Sequence, residues 1–306
     1  MIIMRRNRYL LVTPAKNEAH ALPALIRSIV QQTVVPILWL IVDDGSTDNT
    51  SEIIKNAEKE YAYIKGFKLP EGKRDLGLKY SYVCKVGFEH VIQLCAKEEI
   101  DWHYIALLDA DIIIGINYFE DLMIEFEKNP RLGIASGDIY CQNENEFYID
   151  YHREDLPRGA NRIWRRKCFE DTNGFTITYA PDTVSNIKAK LQGWDTKKFG
   201  NIMSRQIRPT SSAEGLWKGY KIRGKTTYYL CYHPIHVIFR GVKYLMQPKF
   251  YLSFAYFYGY LKDFVLKQPR TEDEVIKAYF RKYGLKDTIS VYTKGTKHDH
   301  DSCKKM

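Results

Sequence analysis

The sequence has little that would staple it or anchor it. Its six cysteines, Cys84, Cys95, Cys141, Cys168, Cys231 and Cys303, form no CxxC pair and no short regular spacing. That excludes a zinc ribbon and a disulfide framework and suits reduced thiols in the cytosol. No apolar run is long enough to cross about 30 Å of hydrocarbon; the longest, Phe250 to Leu261, stops between Lys249 and Lys262. Met1 to Thr13 carries arginines but only the short apolar run Tyr9 to Val12, with no cleavage site behind it, so no secretory signal is expected. Internal repeats and low-complexity linkers are missing as well. What is present, 306 residues with 45% hydrophobic and 27% charged, belongs to a folded chain of enzyme size and excludes disordered and collagen-like readings. Lys and Arg exceed Asp and Glu by 46 to 37, a formal +9 that favours an anionic partner such as phosphate, nucleic acid or a membrane surface.

The first half alternates short apolar, β-prone runs with segments of helical period, the βαβ pattern of a mostly parallel sheet covered on both faces. Tyr9 to Val12, Ile37 to Val42, Tyr63 to Leu69, Tyr104 to Leu108 and Gly133 to Tyr140 read as strands. Leu22, Leu25, Ile26, Ile29 and Val30 mark one helix face; others centre on Ile54, on Val83 to Leu94 and on Phe119 to Phe126. After about residue 145 the alternation weakens. A helix is still expected from Pro181-Asp182-Thr183 to Gly193, and another behind a capping box made by Thr271 and Glu274. Thr226 to Tyr232 reads as a strand. The resulting expectation is a main domain over residues 1–232 and an aromatic, basic helical extension over 233–306.

Acids follow two of the buried strands directly: Asp43-Asp44-Gly45-Ser46-Thr47-Asp48 after Val42, and Asp109-Ala110-Asp111 after Leu108. Ligands of open parallel sheets bind beyond the carboxyl ends of the strands, so both clusters should line one crevice. If the strand continued through them, Asp109 and Asp111 would point the same way. Adjacent carboxylates suit Mg²⁺ or Mn²⁺, which bridges protein acids to a substrate's phosphates. Each cluster alone also has a plain reading, turn and helix-cap work for Asp43, Asp44 and Asp48 and a solvated loop for Asp109 and Asp111.

Three elements in order carry more weight than any one: Val12-Thr-Pro-Ala-Lys-Asn-Glu-Ala19, Val42-Asp-Asp-Gly-Ser-Thr-Asp48 and Leu108-Asp-Ala-Asp111. Over residues 8 to 195 the chain resembles the family 2 glycosyltransferases, inverting enzymes of the Rossmann-like GT-A fold. The resemblance implies a nucleotide site built by Thr13, Pro14, Lys16 and Glu18, with Asp44 accepting a hydrogen bond from the base. It implies Asp109 near the ribose, Asp111 on the Mg²⁺ or Mn²⁺, and Lys79 facing the diphosphate, whose plain alternative is a solvated lysine at a helix start. Lys85 stands where the family often has Asn. Arg158 and Arg162 fall in a segment similar to the family's acceptor side. For the basic run Arg162, Arg165, Arg166 and Lys167 the alternatives are a solvated face and contact with an anionic substrate.

Asp182, ahead of Gly193-Trp194, matches the family's catalytic base, which would take a proton from the acceptor hydroxyl; as an alternative it is the helix N-cap. Thr183 follows it where the family usually has a second acid. His233 is either a late metal ligand of the GT-A kind or a structural histidine at a strand end. The implied donor is a nucleotide-diphosphate sugar, with a UDP-sugar slightly favoured by the family's habits, and the implied acceptor is a glycan or a lipid-linked hydroxyl. A polyprenyl phosphate, already ionised, would need no base. Single-sugar transfer is expected, because Arg205-Gln206-Ile207-Arg208-Pro209 only partly echoes the Gln-x-x-Arg-Trp element of processive polymerases. Thr13 to Asn17 holds no glycine, against a nucleotidylyltransferase phosphate loop. No nucleic-acid motif is present, and nucleic acid is not expected as a partner. Val237 to Leu266 alternates Phe, Tyr and Leu with Arg240, Lys243, Lys249 and Lys262, which fits helices packed on the enzyme or resting on anionic lipid. The expected location is cytoplasmic, with the inner face of the membrane as its peripheral variant.

Overall fold

A computed structural model describes residues 8–71, 78–143, 146–150, 153–207, 215–282 and 303–305. The chain divides into two compact units: Met1–Ile207 with Cys303–Met306, and Arg208–Ser302.

The first unit runs β1 (Tyr9–Ala15), α1 (Leu22–Val30), β2 (Leu38–Asp43), α2 (Thr50–Glu60), β3 (Ile64–Lys68), α3 (Leu78–Lys97), β4 (Tyr104–Leu108), β5 (Ile112–Ile114), α4 (Tyr118–Lys128), β6 (Leu132–Asn143), β7 (Glu146–Asp150), β8 (Asn161–Arg165), α5 (Arg166–Asp171), α6 (Pro181–Leu191) and β9 (Asp195–Gln206), and β10 (Cys303–Lys305) joins its edge. The strand order is β10-β7-β6-β8-β4-β1-β2-β3, with β9 pairing β6 and β5. Strands β4, β1, β2 and β3 are mutually parallel, β8 runs antiparallel to β4, and β9 runs parallel to β6. This is the expected α/β architecture; β4, β1, β2 and β3 form its parallel part, and antiparallel pairings of β8, β7, β5 and β10 make the whole sheet mixed.

The long apolar runs become central strands because helices cover both faces of the sheet. Tyr9, Leu11, Trp39, Ile41, Tyr104 and Ala106 face a core completed by Leu22, Leu25 and Ile29 of α1 and by Phe119, Leu122 and Phe126 of α4. Their alternating neighbours Leu10, Val12, Leu40, Val42, Ile105 and Leu107 face Val83, Phe88 and Val91 of α3. The parallel register sets Ala15 opposite Asp43, which brings the carboxyl ends of β1 and β2 level.

The second unit is helical: α7 (Leu216–Tyr229), α8 (Pro234–Leu245), α9 (Tyr251–Val265) and α10, residues 274–282. Two sequence expectations fail here. Thr226 to Tyr229 completes α7 instead of opening a strand, because Thr227 and Tyr228 are buried in helix packing that outweighs their β preference. The first turn of α10 is capped by Asp273, whose Oδ1 accepts from Ile276 N (3.1 Å), and not by Thr271, whose hydroxyl accepts from Asp273 N (3.4 Å). Among the described residues, no helix is long and apolar enough to cross a membrane.

Glycines let α7 and α9 meet backbone to backbone. A Cβ on Gly224 would lie 2.0 Å from Tyr256 O, and one on Gly259 would lie 2.1 Å from Lys221 O. Gly224→Ala should therefore force the helices apart and destabilise the second unit by about 2 kcal/mol, read as a lower denaturation midpoint with little change in helical circular dichroism before the transition.

Candidate functional site

The acids named from the sequence gather where β1, β2 and β4 end. The loop after β1 is locked to the loop after β2. Asn17 N donates to Ser46 Oγ (2.9 Å), Thr47 N to Asn17 Oδ1 (2.9 Å) and Glu18 N to Thr50 Oγ1 (2.8 Å), and Asn17 takes the left-handed φ of 54° that this crossing needs. Thr13 is buried, and its hydroxyl accepts from the Trp39 indole (3.0 Å), so its side chain supports the loop from beneath. Pro14, opposite Val42 in the register, leads into it.

The acids of the second element divide their labour. Asp43 accepts from Ser46 N (2.7 Å) and from the Ser51 hydroxyl, and Asp48 accepts from Thr50 N (3.0 Å) and Ala19 N (3.1 Å). Both do the turn and helix-start work that acid-rich turns favour. Asp44 does neither with its carboxylate. It lies between two ammonium groups, with Lys79 Nζ at 2.9 Å and Lys16 Nζ at 3.8 Å; Lys16 also donates to the main-chain carbonyl of Asp44 (2.6 Å).

Asp109 and Asp111 converge through a turn and not through strand alternation. Strand β4 ends at Leu108, and Ile112 N donates to Asp109 O (3.1 Å), closing a β-turn into β5. Tyr80 Oη donates to Asp109 Oδ1 (2.7 Å), and Gln206 Nε2 to Asp111 Oδ2 (3.4 Å). Burial, followed by the nearby charge of Asp111, pushes the Asp109 carboxyl up to about 7; Glu18 and Asp182 push the same way and the Tyr80 hydrogen bond opposes them. Four carboxylates, from the loops after β1 and β4 and from α6, thus share one electrostatic neighbourhood. The Tyr80 phenol is itself held well above its ordinary value, by burial first and then by Asp109, so it remains a donor. Sequence reasoning assigned Tyr80 no role and met Gln206 only in the partial echo of the processive element, since neither residue type signals contact with an acid without its partner.

Asp182 stands in the first turn of α6, one residue after Pro181, and the N-cap position belongs to Ala180, which makes no side-chain cap. The capping reading is thereby replaced: the Asp182 carboxylate is not committed to the helix terminus. Gly159 lets the chain pass close to it, because a Cβ there would lie 3.3 Å from Asp182 Cβ and 3.7 Å from its Oδ2.

Arg162 departs from both sequence readings, the solvated basic face and the acceptor contact. It is fully buried on β8, over the Trp164 ring at 5.3 Å. Its guanidinium donates to Arg158 O (2.7 Å), Pro157 O (2.5 Å) and Asp182 O (3.3 Å). Burial pulls its pKa down to about 10, with Asp182, Tyr80 and Asp109 opposing the fall, so it is charged at neutral pH. Arg165 likewise donates to Leu132 O and Phe126 O. Only Arg166 and Lys167 of that run sit on the surface, paired with Glu170 and Asp171. Arg158 lies on the approach to β8, its N–H donating to Ser136 Oγ (3.1 Å).

His233 belongs to the second unit. It follows helix α7 and caps α8, its Nδ1 accepting from Ile235 N (3.3 Å). Among the described residues, no three His, Cys, Asp or Glu side chains close on a common point as a metal cage would. The donor set that fits a hard divalent cation is the Asp109 and Asp111 pair, whose mutual repulsion such an ion would relieve.

Comparison with known proteins places this geometry. The family described as glycosyl transferase family 2 matches residues 10–182. The poly-beta-1,6-N-acetyl-D-glucosamine synthase of Staphylococcus epidermidis is 26% identical over 158 residues, which is 46% of this chain and only 34% of that enzyme's length. Among solved structures, S. aureus TarS 1-349 in complex with UDP-GlcNAc superposes with a TM-score of 0.53 at 14% identity, over 92% of this chain and 81% of that one. The mannosyltransferase PcManGT from Pyrobaculum calidifontis, in complex with GDP-Man and Mn²⁺, gives 0.51 at 13% identity, over 82% and 69%. At such identities the structural likeness speaks for the fold.

Two outcomes follow from the electrostatics. A carboxyl raised in the folded state stabilises the fold below its unfolded value near 4 and loses that contribution as pH rises through about 7. Asp109→Asn should therefore melt higher than the parent at pH 8 in chelating buffer, by roughly 5 °C, with the gap closing toward pH 4. Arg162→Met, which removes the guanidinium donor from the carbonyls of Pro157, Arg158 and Asp182, should cost about 3 kcal/mol, seen as a fall in denaturation midpoint.

Proposed function

The chain belongs to glycosyl transferase family 2 and is a glycosyltransferase of GT-A architecture, and from that premise we propose that it moves a single sugar from a nucleotide-diphosphate donor to a hydroxyl acceptor with inversion. The observation that carries this reading is the electrostatic coupling of Asp109 to Asp111, Glu18 and Asp182 at the ends of parallel strands. Acids held this close repel one another unless a cation and a polar ligand enter among them.

The donor lies across the loops after β1 and β2, with Pro14, Lys16 and Glu18 along its nucleotide and Thr13 bracing them. Asp44 accepts a base N–H, and to do so it gives up Lys79, which frees an ammonium for the diphosphate. Asp109 meets the ribose, held in orientation by Tyr80, and with Asp111 it would hold Mg²⁺ or Mn²⁺, which when bound neutralises the leaving diphosphate. Asp182 takes the proton of the acceptor hydroxyl as its oxygen forms the new bond to the anomeric carbon and the bond to the diphosphate breaks. Arg158 borders the acceptor side, while Arg162 acts from beneath by holding the Asp182 main chain. A carboxylate that caps no helix is a better base than one tied to backbone N–H groups, which favours a hydroxyl acceptor, glycan or lipid-linked, over an ionised phosphate.

A panel of UDP- and GDP-sugars with Mn²⁺ should contain one donor that raises the melting temperature, since ligands of the folded state stabilise it by linkage. Asp111→Ala should abolish the Mn²⁺-dependent part of that shift. Asp182→Asn should leave donor binding intact and slow transfer about 10²- to 10⁴-fold. Full transfer by Asp182→Asn would remove the residue from the mechanism, and no shift with any donor would remove the donor reading.

A further inference from the structure

The chain's formal excess of +9 has an address. Residues 215–270 hold ten Lys and Arg against one acid, Asp263, so this stretch alone carries a net charge equal to the whole chain's surplus. Asp263 is buried and pairs with Lys225 (4.0 Å), so residues 215–270 expose no carboxylate.

The same stretch exposes apolar side chains in register. On α8 the inner face is Val237, Gly241 and Tyr244, and the outer stripe is Ile235, Ile238, Val242 and Leu245. On α9 the inner face includes Leu252, Tyr256, Gly259 and Asp263, and the outer stripe is Tyr251, Phe254, Tyr258, Leu261 and Val265. Ile238 is 59% exposed, Phe254 58% and Val265 72%, and Met246, in the turn between the helices, 84%. Spacings of three and four along each stripe make these continuous outward faces and not scattered surface residues. The inner faces are already satisfied. Val237, Tyr244 and Tyr256 form a core with Tyr220, Phe257 and Tyr260, and Ser253 Oγ donates to Gly241 O (2.7 Å). The outer stripes therefore serve nothing within their own unit.

Lysines stand around the apolar stripes. Lys249 precedes α9 and Lys267 follows it, Lys262 is exposed next to Leu261, and Lys243 lies between Val242 and Leu245. Aliphatic stems along an apolar face with ammonium tips at its edge are the arrangement that a helix lying in a headgroup region requires. Tyr251 and Tyr258 add the half-apolar, half-polar side chains that settle at such a boundary. A partner protein would have to offer a broad apolar surface ringed by acids; an anionic bilayer offers both features everywhere, and each cation near its surface adds attraction.

We propose that the α8–α9 outer face docks on an anionic phospholipid bilayer, with the apolar stripes at the headgroup and acyl boundary and Lys243, Lys249, Lys262 and Lys267 on lipid phosphates. The proposal stands on the second unit alone and does not depend on the donor chemistry of the first.

Flotation of the full chain with vesicles tests it. With phosphatidylcholine vesicles containing about a third phosphatidylglycerol, the protein should float; with pure phosphatidylcholine, or in 0.5 M salt, binding should fall roughly tenfold. A variant combining Ile238→Gln, Val242→Gln, Phe254→Gln and Leu261→Gln, all exposed positions, should keep its melting temperature and lose flotation, and Lys249→Glu with Lys262→Glu should lose it at low salt. Absence of flotation with anionic vesicles overturns the proposal, as does flotation unchanged in both variants. So does a sedimentation profile in which the parent is a stable dimer and the glutamine variant a monomer, for then a second copy covers the face.

Discussion

Arg162 commits its guanidinium to main-chain carbonyls, those of Pro157, Arg158 and Asp182, from a fully buried place on β8. A cation buried on a strand is unfavourable unless its donors are met, and carbonyls of a chain bent around it meet them without neutralising it. The same contacts fix the path of residues 157–160 and the start of α6. Gly159 can then lie against Asp182, and the Asp182 carboxylate comes within electrostatic reach of Asp109. Asn186 of α6 reinforces this placement, its Nδ2 donating to the same Pro157 carbonyl (3.1 Å).

A second constraint works in the opposite sense. The strand ends collect Asp44, Asp109, Asp111 and Glu18, and Asp44 lies between two ammonium groups. The charges of Asp111, Glu18 and Asp182 add to burial in raising the proton affinity of Asp109. Such a cluster is poorly matched to water and well matched to a ligand that brings its own cation, which is how a binding site stores affinity before the ligand arrives. Positive charge is meanwhile concentrated in a different unit, on helices that carry no exposed acid between residues 215 and 270. The overall excess of +9 thus equals that of residues 215–270 alone, and the rest of the chain is formally neutral.

The legible parts of the fold are those where local pattern and tertiary context agree. Strands β1, β2 and β4 are unbroken apolar runs because they are covered on both faces, and α1 and α4 show their stripes because only one side is covered. The order of acidic elements was legible for the same reason: turns beyond buried strands have to be polar. Where burial alone decides, the reading failed. Thr226 to Tyr229 has β-prone residues, yet burial of Thr227 and Tyr228 in helix packing holds it helical. The arginine run looks solvated until β8 turns Arg162 inward. Asp182 reads as a cap until Pro181 at the first helical position hands the cap to Ala180.

By itself the sequence determined the βαβ alternation and the places where carboxylates leave the sheet, since these follow from periodicity and residue type within a few neighbours; the family was legible only as the resemblance of three motifs in order. Which acids meet, that Asp109 and Asp111 converge through a turn, that Tyr80 holds Asp109 and that Arg162 braces Asp182 were decided only by the tertiary structure. The Tyr80 and Arg162 contacts rest on the removal of water around groups distant in sequence, and desolvation belongs to the enclosed site and to no residue alone.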